Sequence, residues 1–285
     1  MNYTLEVTDL TKDYGDFRLN KLSFSIPQGS IMGLIGENGA GKTTIINIIL
    51  NEIKKDDGTV KVFGKNHLEC EQEIKTCIGV VFDDFHLPDL LTANEIEKFI
   101  SKIYSQWQHR VYQEYLSKFE LPSNKPIKDF SRGMKVKLSF AIALSHNAKF
   151  LILDEATSGL DPIVRDEILD ILLEFVQDET HSVLFSSHIT SDLAKVADYI
   201  TFVHKGNLIF SKPKDELIYN FGIIHCGTAV FNSIDKSEII SYRKQDYEWQ
   251  ALVANREVAR KKYKSCIVDN ATIDDIMLFY IKGEK

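Results

Sequence analysis

The sequence predicts an α/β fold: a strand-and-helix core with an antiparallel β subdomain and a helical insert, followed by a small α/β extension. Three observations predict it. Short strand-like segments rich in Ile, Val and Leu occur up to about residue 84 and return after about 147. Between those positions the apolar spacing is helical. From about residue 222 short strands and helices begin again, which divides the chain into segments 1–221 and 222–285.

Taken in order, Thr4–Val7 and Leu22–Ile26 read as strands, with turn signals at Tyr14-Gly15-Asp16 and Pro27-Gln28-Gly29. Ile31–Ile35 follows, and residues 3–35 as a group are expected to be antiparallel. A helix is expected over Ile45–Leu50, then strands at Thr59–Gly64 and Ile78–Phe82. The insert, about 84–147, carries helices at Asn94–Tyr104, Gln108–Phe119 and Gly133–Ser145. Phe150–Leu153 and Ser182–Phe185 are strands on either side of a helix over 163–178. In the extension, Ile223–Cys226, Trp249–Val253 and Cys266–Val268 are expected strands. Helices are expected near Glu257–Tyr263 and Ile273–Ile281, the second opened by Thr272 as N-cap.

Between the third strand and the first helix lies Gly36-Glu37-Asn38-Gly39-Ala40-Gly41-Lys42-Thr43-Thr44. A glycine, four residues and Gly-Lys-Thr in a strand–loop–helix setting make a phosphate-binding loop. Glycines let the backbone curl so that its N–H groups face phosphates, and the helix N-terminus adds partial positive charge. Lys42 is placed to reach the β- and γ-phosphates, and the Thr43 hydroxyl to enter a Mg²⁺ shell. The loop implies a bound nucleoside triphosphate on a P-loop NTPase core.

Downstream, Phe150–Leu153 ends in Asp154-Glu155. Strand geometry would send these carboxylates to different sides, Asp154 to the magnesium ion and Glu155 to the attacking water. Ser131-Arg132-Gly133-Met134 precedes a helix. Ser131 there is either a plain N-cap or part of a phosphate site facing a second subunit. Ser158-Gly159-Leu160-Asp161-Pro162 places a proline at a helix start, and Phe185-Ser186-Ser187-His188 ends a strand on a histidine that, taken alone, reads as structural.

Composition limits the partners. The chain has 285 residues and a formal charge of −7. Without a dense Lys/Arg face, nucleic acid is not expected as a partner. Cys70, Cys77, Cys226 and Cys266 are widely spaced and are expected to be reduced, as in a cytosolic protein. No N-terminal signal is read, and no apolar run approaches the ~20 residues that cross a bilayer.

The ordered set of motifs resembles the ATP-binding cassette (ABC) ATPases over residues 3 to 215. The resemblance makes 36–43 the phosphate loop, Ser131–Met134 the signature segment and Phe150–Glu155 the metal-and-base strand. Ser158–Asp161 corresponds to the subunit-interface loop and Ser187-His188 to the switch histidine. It implies that Tyr14 stacks on adenine and that His188 contacts the γ-phosphate and supports Glu155. Two copies would enclose two ATP molecules head to tail, each loop at 36–44 facing the opposite Ser131 and Gly133. A homodimer is preferred over a heterodimer. Integral membrane permease subunits would be the other partners, holding the chain on the cytoplasmic side of the plasma membrane. Phe85–Leu91, between core and insert, would receive a short helix from the permease.

Two positions depart from the family pattern. Phe130-Ser131-Arg132-Gly133-Met134 stands for Leu-Ser-Gly-Gly-Gln, keeping the serine and second glycine. Asp83 stands where a glutamine is usual, and is expected to sense or bind Mg²⁺. Both departures resemble ATPase subunits of small bacterial exporters, including those that expel antimicrobial or amphipathic peptides. The competing readings are a soluble cassette ATPase acting on ribosomes or nucleic acid, and a nucleotide-binding regulator with little turnover.

Overall fold

A computed structural model describes residues 2–84 and 87–284. The chain divides into two compact units, Met1–Ile209 and Phe210–Lys285. That division falls earlier in the chain than the expected start of the extension at 222.

The first unit opens with β1 (Tyr3–Asp13) and β2 (Arg18–Pro27), paired antiparallel around the turn at Tyr14–Asp16. Leu5 and Val7 of β1 and Leu22, Phe24 and Ile26 of β2 are buried in strand alternation, and Leu10 and Leu19 are buried beyond shifts in the pairing register. Then come β3 (Ile31–Ile35), α1 (Lys42–Ile49), β4 (Asp57–Val62) and the two-residue β5 (Lys65–Asn66). Next are α2 (Glu71–Cys77) and β6 (Ile78–Phe82). The first sheet has the order β2-β1-β4-β5.

The insert contributes α3 (Ala93–Ile100), α4 (His109–Lys118) and α5 (Arg132–Leu144). Thr92 closes a capping box with Glu95 at the start of α3. The fold continues through β7 (Phe150–Asp154), α6 (Pro162–Phe175), β8 (Ser182–Ser186), α7 (Thr190–Val196), β9 (Tyr199–His204) and β10 (Asn207–Pro213). Asp161 caps α6 by accepting from the amides of Ile163 and Val164, with Pro162 as the first helical residue.

The second sheet has the order β10-β9-β3-β8-β7-β6. Here one expectation is corrected: β3 does not join the antiparallel strands. It pairs parallel with β8 and β9, while β7 pairs parallel with β6 and β8. All five residues of β3 are buried, as for a strand covered on both faces. Within the first unit the two sheets are joined by a buried pair of hydroxyls, Thr4 Oγ1 and Ser182 Oγ at 2.8 Å. The Gly29 amide also donates to Ser182 Oγ, at 3.1 Å.

The second unit holds α8 (Lys214–Asn220), β11 (Gly222–Cys226), α9 (Thr228–Ser233), β12 (Ile239–Lys244), β13 (Trp249–Val253), α10 (Arg256–Lys262), β14 (Ile267–Asn270) and α11 (Ile273–Lys282). Its sheet, β12-β13-β11-β14, is antiparallel. It has its own core, in which Phe231 stacks on Trp249 at 4.2 Å between ring centres. Thr272 caps α11 in a capping box with Asp275. The four cysteines are free, and burial pushes the Cys226 thiol up to about 11.

Candidate active site

The phosphate-binding loop leaves the C-terminal end of β3 and enters α1, so the amides of its glycines collect at the helix N-terminus. Gly41 caps α1 with a left-handed φ of 111°. A Cβ there would lie 2.6 Å from a Leu19 methyl, so both conformation and space demand glycine. The Ala40 amide donates to the Glu37 carbonyl, and the Gly206 amide to the Ala40 carbonyl, which fixes the curl from both sides. Glu37 itself places Oε2 3.4 Å from His204 Nδ1.

Lys42 is 6% exposed and curls over the loop, donating from Nζ to the Gly36 carbonyl at 2.9 Å and to that of Glu37 at 3.4 Å. The same ammonium lies 3.3 Å from Glu155 Oε1. His188 takes the other carboxylate oxygen, Oε2, with Nδ1 at 2.5 Å and its backbone N–H at 3.3 Å. Both oxygens of Glu155 are thus engaged, one by the loop lysine and one by the second residue after β8.

Asp154 and Glu155 diverge for a reason other than strand alternation. β7 ends at Asp154, and Glu155 turns out of it with φ 54°. Its amide donates to the Ser186 carbonyl and its carbonyl accepts from the Ser158 amide, which stabilises that left-handed turn. Asp154 stays buried and accepts from Ser186 Oγ at 2.9 Å. The loop that follows is tied down by Thr157, whose hydroxyl donates to Asp192 at 2.8 Å. Burial raises the Asp192 carboxyl above its usual range, against the lowering effect of Thr157 and Arg165.

A cleft of about 620 Å³ gathers Tyr14, Asn38, Gly39, Gly41, Lys42, Thr43, Thr44, Asp83, Glu155 and His188. An adjoining cleft adds Asp154 beside Thr43, Asp83 and Glu155. Oxygen donors of this kind suit a hard divalent cation next to phosphate. Of the expected loop residues, Gly36, Glu37 and Ala40 do not line either cleft, and two expected residues from another segment lie elsewhere. Ser131 and Gly133 line neither cleft; Ser131 caps α5, its Oγ accepting from the Met134 amide at 3.2 Å. Asp83 borders both clefts, yet its Oδ1 is held by the Arg132 guanidinium.

Sequence reasoning missed Phe17, which lines the cleft beside Tyr14. Its signal is a second aromatic three positions on, across the turn between β1 and β2. Of the expected docking stretch, Phe85 and His86 lie outside the described residues. Leu87–Leu91 follow, with Leu90 72% exposed.

Known proteins resemble this chain. The family model for ABC transporters matches residues 19–158. The bacitracin transport ATP-binding protein BcrA of Bacillus licheniformis is 35% identical over 220 residues, 76% of this chain and 72% of that protein. The lantibiotic transport ATP-binding protein SrtF of Streptococcus pyogenes is 35% identical over 214 residues, 74% of this chain and 91% of the relative. A solved structure of an ATP binding subunit of an ABC transporter superposes with a TM-score of 0.69 at 24% identity, covering 75% of this chain and 91% of that one.

Proposed function

The chain belongs to the ABC transporter ATP-binding proteins, and from that membership we propose a division of labour among its residues, its copies and its membrane partners. It is an ATPase subunit that drives transport. The observation carrying the assignment of roles is the engagement of Glu155 by Lys42 and His188 at the mouth of the phosphate loop.

Loop amides and Lys42 bind the β- and γ-phosphates, and Tyr14, joined by Phe17, offers ring faces to the adenine. Thr43 and Asp154, with Asp83 beside them, would hold Mg²⁺, which would supply neutralisation of the phosphate charge. Glu155 accepts the proton of the attacking water, and His188 keeps its carboxylate oriented and meets the γ-phosphate. Incoming phosphate draws Lys42 away from Glu155, which frees an oxygen for the water.

Ser131 and Gly133 lie away from the cleft of their own chain, which favours their use in trans. Two copies pair head to tail, each presenting the start of α5 to the other's ATP; a homodimer is preferred to a heterodimer. The cassette comprises 1–221, with 222–285 an extension. Among the described residues no helix is long and apolar enough to cross a membrane. Membership among transport ATP-binding proteins favours a peripheral place on the cytoplasmic face of the plasma membrane, bound to integral permease subunits. The names of the bacitracin and lantibiotic relatives favour a peptide cargo leaving the cell.

Glu155→Gln tests the sandwich. It removes the base and keeps the binding groups, so turnover should fall by about 10²–10⁴-fold while ATP-bound dimer accumulates. Light scattering after size exclusion in Mg-ATP should give more dimer for the variant than for the wild type. A variant that stays monomeric at saturating Mg-ATP overturns the head-to-tail model.

A further inference from the structure

Arg132 is the first residue of α5, and a cation there opposes the positive end of the helix dipole. The first turn of α5 contains no acidic residue to offset it. The compensating charge comes from Asp83, just past the end of β6, whose carboxylate the guanidinium grips. The same guanidinium lies against Gly159, in the loop between β7 and α6. A Cβ at 159 would come within 3.2 Å of Arg132 Cζ and Nη1, and φ there is +66°. One side chain therefore gathers the end of β6, the start of α5 and the loop after Glu155.

The two ends of this ion pair face different places. Asp83 borders the cleft containing Thr43 and Glu155. Arg132 is the neighbour of Ser131, which by the reading above faces the ATP of a second subunit. Both side chains are about half exposed, 49% for Arg132 and 45% for Asp83. Ion pairs this exposed are weakly held. A triphosphate carries more charge than one carboxylate and takes a guanidinium through two parallel hydrogen bonds.

We propose that Arg132 is a phosphate-binding residue of the composite site, held in reserve by Asp83 and exchanged onto the ATP of the opposite subunit as the dimer closes. The exchange rests on the head-to-tail reading. The usual glycine at position 132 could not do this, having no charge to exchange.

The test uses the full-length chain carrying Glu155→Gln, with dimer fraction read by light scattering across a Mg-ATP titration. Arg132→Ala should raise the ATP concentration for half-maximal dimer at least about tenfold, the loss of one charge-assisted contact. Arg132→Lys should recover part of that. Asp83→Asn should act in the opposite direction, since the arginine is no longer held back. The Asp83→Asn/Arg132→Ala double variant should match Arg132→Ala alone, because the carboxylate acts through the guanidinium. If Asp83→Asn also raises the requirement, or if the two effects add, the pair only braces α5 and the exchange is wrong. If the Glu155→Gln parent forms no dimer at saturating Mg-ATP, the head-to-tail reading fails first and this proposal with it.

Discussion

Lys42 and Glu155 hold the chemistry of the cleft in one contact. Lys42 Nζ is shared among two loop carbonyls and Glu155, and in the function proposed above this is the positive charge offered to the γ-phosphate. Lys42→Ala removes it. Hydrogen bonds to charged groups are worth about 1.5–3 kcal/mol, so ATP affinity should fall by roughly 10- to 100-fold and turnover should vanish. Titration with a fluorescent ATP analogue and a phosphate-release assay check this; unchanged affinity and turnover would remove the loop from the site. Lys42, Asp154 and Glu155 could be picked out as candidates in the sequence because their motifs rest on short local spacings, and the structure brings them to adjoining clefts. The ion pair of Arg132 could not be. Its partner is 49 positions away, and only the folded chain brings the two together. Glu155 shows a finer limit: the carboxylate pair was evident, but the left-handed turn that separates the two was not.

At the scale of elements, helix α5 is fastened at both ends. Its C-terminal end is held by His146, which stacks on Tyr104 at 4.1 Å and sets Nε2 3.0 Å from the Ile78 carbonyl at the start of β6. Burial lowers the pKa of this imidazole below its ordinary value, outweighing the nearby carbonyls of Ile78 and Ile142 that would raise it. The folded chain thus prefers neutral His146. Its contribution to stability is full above the ordinary histidine value of 6.5. As the pH falls through that value the unfolded chain protonates first, and the contribution declines until the lower folded pKa is passed. Thermal melts between pH 8 and pH 5 should lose less for His146→Gln than for the wild type; parallel losses would make the histidine a bystander. Two of the elements that escaped the sequence have weak patterns. Helix α2 buries only Ile74 and its N-cap makes no side-chain bond, so no apolar stripe or cap announces it. Strand β12 buries only Ser241. The parallel pairing of β3 left a signal that went unused, a run apolar at every position save one glycine.

At the scale of the whole molecule, the sequence pattern sets a break at 222, where short strands begin again. A break placed by strand pattern marks where a new sheet begins, whereas contacts divide the chain at Ile209 and Phe210. Inside the first unit, two sheets of different pairing must move as one body if events at the phosphate loop are to reach the rest of the fold. The hydroxyl pair Thr4–Ser182 is a buried tie between them, and the Gly29 amide ends on the same oxygen. Amides in tight turns ordinarily trade their protons with solvent quickly; this one can do so only when that tie opens. Its deuterium uptake should therefore be slow, and Ser182→Ala should speed it several-fold, the share of one neutral hydrogen bond. Rapid uptake in the wild type would mean that the sheets part freely. A single turn proton thus serves as a clock for the breathing of the whole first unit.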